Sequence, residues 1–83
     1  MSEADKIFRE LGYLKGQMNN YIEWYNKYPN GEMASISFES TTKTIMASLY
    51  YDNNKFQKSR ALAMTIEELQ ATYLYAKELG WYD

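Results

Sequence analysis

Two helix stops of the same make lie near the two ends of this chain, Glu10-Leu11-Gly12-Tyr13 and Glu78-Leu79-Gly80-Trp81. In each, apolar residues at helical spacing run into a glycine suited to the left-handed backbone that ends a helix. A ring follows that can fold back over the last turn. Ahead of the first stop, Ser2 can cap the helix, and Glu3 and Asp5 sit in the first turn, where the helix dipole favours negative charge. Ala4, Ile7, Phe8 and Leu11 then share one face, with Tyr13 and Leu14 placed to cover the last turn. Ahead of the second stop, Thr65-Ile66-Glu67-Glu68 reads as a capping box, with Thr65 at the cap and Glu68 reaching back. Ile66, Leu69, Thr72, Tyr73, Ala76 and Leu79 form the stripe expected to face the core, which leaves Leu74 and Tyr75 off it.

Between the helices the hydrophobic period changes from 3.6 to two. From Asn20, Ile22, Trp24 and Asn26 alternate with Tyr21, Glu23, Tyr25 and Lys27. Pro29-Asn30-Gly31 is a turn with a mechanism, because Pro fixes φ while Asn and Gly accept positive φ. Ala34, Ile36 and Phe38 then oppose Ser35, Ser37 and Glu39 in the cleanest strand of the chain. After the polar bend Ser40-Thr41-Thr42, Ile45, Ala47 and Leu49 oppose Thr44, Met46, Ser48 and Tyr50. Asp52-Asn53-Asn54 is a second turn, and a poorly patterned strand from Phe56 to about Leu62 suits a sheet edge. The expected fold is a single α+β domain over residues 1–83. It has two layers, an antiparallel sheet of three to four strands with both helices on one face, in the order α-β-β-β-(β)-α.

At 83 residues, such a domain has room for one core and little for a deep enclosed pocket. Nine Tyr, two Trp and three Phe are more rings than one small core needs, so some belong to the surface. The chain has no cysteine, which removes disulfides and thiolate chemistry, and no histidine, the commonest general base and metal ligand. A formal charge of −2 argues for neither a strong nucleic-acid field nor an acidic mimic. No apolar run approaches the roughly 20 residues of a membrane span, and no signal-type segment opens the chain, so a cytoplasmic protein is expected.

No constellation of catalytic residues emerges. Glu67 and Glu68 are adjacent and diverge by about 100° on a helix, so capping and the dipole account for both. Glu23 and Glu39 fall on the face away from the helices, where solvation is the plainer reading. The serines lack an activating partner, and the glycines read as stops and turns rather than a phosphate loop. Neither a catalytic site, a metal site nor a cofactor is expected.

Two surfaces remain. The sheet face away from the helices would carry Tyr21, Tyr25, Met46 and Tyr50 among small Ser and Thr residues, the chemistry of a protein-binding surface. Leu74 and Tyr75 offer a second contact. The plainer reading is that Tyr tolerates a half-solvated sheet. The other surface is the hairpin holding Tyr51, Lys55, Phe56, Lys58 and Arg60, where cations interleave with rings as a nucleic-acid surface requires. Lysines that discourage pairing at a sheet edge explain the same residues.

Three segments taken together resemble a known group. Ala4-Asp5-Lys6-Ile7-Phe8-Arg9-Glu10-Leu11-Gly12-Tyr13 is followed by Ile36-Ser37-Phe38-Glu39-Ser40-Thr41-Thr42-Lys43-Thr44-Ile45. Met64-Thr65-Ile66-Glu67-Glu68-Leu69-Gln70-Ala71 comes third, closing on Lys77-Glu78-Leu79-Gly80-Trp81. In that order they resemble a group of small uncharacterised proteins encoded by phages and prophages of Gram-positive bacteria. The chain departs from that pattern in its aromatic-rich stretch from Gln17 to Tyr28 and at Thr72-Tyr73. The resemblance implies an accessory phage protein acting in a bacterial cytoplasm. The expectation is a non-enzymatic protein that binds a host protein, as an anti-CRISPR or other anti-defence inhibitor would. A nucleic-acid-binding factor using the Lys55–Arg60 hairpin and a homodimer formed through the Tyr/Ser face are the alternatives.

Overall fold

The computed structural model describes residues 2–51 and 60–82. Its order is α1 (Glu3–Glu10), β1 (Leu14–Met18), β2 (Tyr21–Lys27), β3 (Glu32–Glu39), β4 (Thr44–Tyr51), β5 (Arg60–Ala61) and α2 (Ile66–Glu78). The five strands form one antiparallel sheet in sequence order, β1-β2-β3-β4-β5. The α+β class and the terminal helices on one face are as the sequence predicts. The sheet gains one strand, β1, at a segment whose Lys-Gly-Gln centre carries no alternating pattern. Pairing across Asn19-Asn20, with Met18 opposite Tyr21, makes it a strand.

Both helix stops form as their sequence requires. Gly12 takes φ 94° and Gly80 φ 81°. The Tyr13 N–H reaches the Phe8 carbonyl at 2.9 Å, and the Trp81 N–H reaches that of Ala76 at 3.0 Å. With Gly12 donating to Arg9 and Gly80 to Lys77, each stop is a complete Schellman motif. At the other ends, Ser2 Oγ accepts from the Asp5 N–H at 3.1 Å, and the Thr65–Glu68 capping box closes in both directions. Tyr13 does fold over the last turn of α1. Leu14 does not: it opens β1 and lies 54% exposed.

The helices run antiparallel. The Glu78 carboxylate at the end of α2 accepts from the Ala4 N–H at the start of α1. At the opposite ends, the Tyr13 hydroxyl just past α1 donates to Glu68 in the first turn of α2. Glu68 thus closes a capping box and also ties the helix pair together, a role its sequence position does not reveal. Burial, then the bond to Glu68, pushes the Tyr13 hydroxyl well above its ordinary pKa.

The core is aromatic. Phe8 stacks on Trp24 at 4.6 Å and meets Tyr13, Phe38 and Tyr75 edge-on. Ala4, Ala34, Ile36, Ala71 and Ala76 fill the spaces between the rings. Trp81 folds back against Phe38 at 6.0 Å, as its stop predicts. Lys15 and Arg9 hold their cationic heads 5.9 Å and 5.6 Å from the Trp24 ring centre, which suits cation–π attraction. The Trp24 indole N–H is buried without a hydrogen-bond acceptor.

The face of α2 is rotated from the predicted stripe. Glu68, Ala71, Thr72, Tyr75 and Ala76 are buried, while Ile66, Leu69 and Tyr73 are exposed. Apolar residues occur all round this helix, so periodicity alone fixes its phase weakly. Small side chains decide it: Ala71 and Ala76 turned inward let the helix approach closely, and Tyr75 then reaches the Phe38 ring at 4.8 Å. Tyr75, expected off the core stripe, is therefore a core residue at 5% exposure and offers no contact surface.

Candidate protein-binding face

The strand register assembles the outer face without ambiguity. Directly opposite residues share a face, so Tyr25 with Ser35, Glu23 with Ser37 and Tyr21 with Glu39 lie on the side away from the helices. Ser35 with Ser48, Ser37 with Met46 and Met33 with Tyr50 continue that face across β4. Leu14, Gly16 and Met18 extend it across β1. Tyr21, Tyr25, Met46 and Tyr50 thus come together as predicted, and Leu14 and Met18 join them because β1 is a strand. Neither of these last two could be found by alternation. Only the Asn19-Asn20 turn signal, lying before the β2 alternation, points to them.

The centre of this face is a shallow concavity of about 370 Å³, lined by residues of β2, β3 and β4 from Tyr21 to Tyr50. Its floor is small, Ser35, Ser37 and Ser48, and its rim carries the larger Tyr21, Met46 and Tyr50 side chains. Glu23 is not simply solvated. The half-buried carboxylate accepts from Ser35 Oγ at 2.5 Å and from the Tyr50 hydroxyl at 3.4 Å. These bonds join side chains from three strands, the Ser35 bond being the short one. Met46, at 68% exposure, is the most exposed large side chain on the face.

Glu39 has a different job. Its carboxylate accepts from the backbone N–H and the hydroxyl of Thr42, both at 2.7 Å, and closes the bend in which Lys43 adopts φ 54°. The Thr42 N–H bond holds its pKa below the ordinary carboxylate value. Glu23 and Glu39 are therefore occupied by structure, each in its own network.

A second concavity, about 760 Å³, runs between α1 and α2 on the side away from the sheet. Ile7, Leu69, Tyr73, Leu74 and Tyr82 line it, and Tyr82 donates its hydroxyl to the Tyr73 carbonyl at 2.7 Å. Leu74, predicted as a contact residue beside Tyr75, is half-buried in this groove and packs against the core. The two residues are separated by the helix, and neither adjoins the outer sheet face.

The predicted nucleic-acid surface is only partly visible. Lys55, Phe56 and Lys58 lie outside the described residues. Tyr51 is exposed at the end of β4, and Arg60 opens β5. Arg60 is bound to Glu32, whose other carboxylate oxygen accepts from Asn30 at 2.8 Å. The Arg60 side chain nevertheless stays 66% exposed.

Among the described residues, no cluster of three or more carboxylates could hold a metal ion, and no helix is long and apolar enough to cross a membrane. Comparison with protein-family models, with curated proteins and with solved structures returns no match.

Proposed function

We propose that this chain is a non-enzymatic protein-binding module that docks a folded protein partner on the outer face of its sheet. One observation carries the reading: the exposed Tyr21 and Met46 side chains rim a concave surface on which Glu23 and Ser35 are already hydrogen-bonded to each other. Tyr presents large rigid area at low entropic cost, and Ser adapts its hydrogen bonds to what it meets. Met46 supplies a polarisable side chain of the kind that packs on varied surfaces. The resemblance to small phage and prophage proteins supports a host protein in a bacterial cytoplasm as the partner, and an anti-defence inhibitor as the role. Nucleic-acid binding has less support, because a formal charge of −2 gives no strong attraction to phosphates.

The test is a nuclease-treated pull-down from host lysate with four versions of the chain. Wild type is expected to retain a partner, and Tyr21→Ala and Met46→Ala to lose it with the melting temperature little changed. Leu69→Ala, in the helix groove, should retain it. Loss of capture only in Leu69→Ala would move the site to the helices. Capture abolished by nuclease or by moderate salt would favour nucleic acid instead.

A further inference from the structure

The two edges of the sheet are guarded differently. Among the described residues the β5 edge is Arg60–Ala61, with Arg60 bonded to Glu32, whereas β1 is a five-residue edge paired along its whole length to β2 with no residue skipped. Neither a proline nor a bulge protects β1, and its one charge is Lys15. That side chain lies on the helix side, with its ammonium 5.9 Å from the Trp24 ring centre and 5.8 Å from that of Tyr75, so it does not project past the edge. Leu14 and Met18 stand 54% and 61% exposed on the other side. Among the described residues, β1 has no ladder partner but β2. An edge of this kind is a template for another strand.

The sequence of β1 selects which strand. We infer that β1 pairs antiparallel with β1 of a second copy about a two-fold axis at Gly16, joining two sheets into one of ten strands. Gly16 is the midpoint of Leu14–Met18, so this register alone pairs all five residues. It sets Leu14 against Met18 of the second copy on the outer face, and Lys15 against Gln17 on the helix face. No like charges are directly opposed. A register centred on Lys15 would oppose two ammoniums, which is unfavourable. At the axis each strand presents a glycine, and the Tyr25 ring lies over it, its Cε1 3.6 Å from where a Cβ would stand. The interface is self-complementary, as a two-fold requires. It is independent of the partner-binding reading and leaves the concave face of each copy open.

The absence of cysteine makes the test clean. The two-fold puts residue 16 opposite itself, with Cβ atoms within reach of a disulfide. Mild oxidation of Gly16→Cys should therefore give a covalent dimer, whereas Thr42→Cys, on an exposed bend, should not. In parallel, sedimentation over a concentration series should show the wild-type mass rising from 9.8 kDa towards twice that value. Gln17→Glu places a carboxylate opposite Lys15 of the second copy and should tighten the dimer. Gln17→Lys should weaken it by roughly tenfold, since the axis repeats the clash twice. A mass that stays monomeric in wild type and in Gln17→Glu overturns the inference. So does equal crosslinking of Thr42→Cys, or a dimer broken by Met46→Lys and indifferent to Gln17→Lys, which would put the interface on the outer sheet face.

Discussion

The two faces of the sheet are made from the same strands, residue by residue in alternation, yet they obey different chemistry. On the helix face Trp24, Ala34, Ile36 and Phe38 are almost fully buried against Phe8, Tyr13 and Tyr75, and ring meets ring. On the outer face Tyr21, Met46 and Tyr50 surround serines, and hydroxyls meet the Glu23 carboxylate. One face packs its rings together in the core, while on the other Tyr21 and Met46 stand exposed. A small domain has little stability to spare, and the proposed docking surface lies on the face that contributes less to holding the fold.

That contrast predicts a graded set of effects. The largest belongs to the core: Trp24→Ala should cost about 3–5 kcal/mol in chemical denaturation, enough to unfold a domain of this size near body temperature. A loss below 1 kcal/mol would mean that the stack on Phe8 is not what holds the helices to the sheet. The second effect separates the faces by pH. Burial raises the pKa of Tyr13, and that of Tyr75, above the ordinary value of 10. Below pH 10 these hydroxyls are protonated whether the chain is folded or not, and they make stability no function of pH. Above it the unfolded chain releases protons that the folded protein holds, so stability should fall as pH rises. The fall should be shallower in Tyr13→Phe, as thermal melts between neutral and alkaline pH would show; an unchanged slope would mean that Tyr13 does not contribute. The smallest effect belongs to the outer face, where Met46→Ala should change stability by no more than about 0.5 kcal/mol. A cost of 2 kcal/mol or more would make Met46 part of a packed structure and remove the contrast.

Much of the architecture was legible because its signals are local. Ser2, Thr65, Glu68, Gly12 and Gly80 act within a turn of themselves, and each was found doing what its position implied. The alternation through Ala34–Glu39 and Ile45–Tyr50 assigned outer and inner residues correctly, since a strand has a period of two whatever packs on it. Ile45 shows where that rule stops: it points to the helix side opposite Phe38 but remains 42% exposed, because β5 is too short to flank that end of β4.

The sequence by itself determined where the helices begin and end, which strand residues share a face, and that more rings exist than one core can absorb. Tertiary structure decided three things. It turned α2 so that Tyr75 entered the core and Ile66, Leu69 and Tyr73 faced out, because a helix apolar on several sides takes the phase that packs most closely. It made Leu14–Met18 a strand, because pairing with β2 supplies the hydrogen bonds that Lys-Gly-Gln has no local reason to seek. It also gave Glu68 its second partner, Tyr13, and Glu23 its partner Ser35, from distant points of the chain. Caps and alternation need only neighbours in sequence, whereas phase, edge pairing and buried polar contacts depend on which surfaces the folded chain brings together.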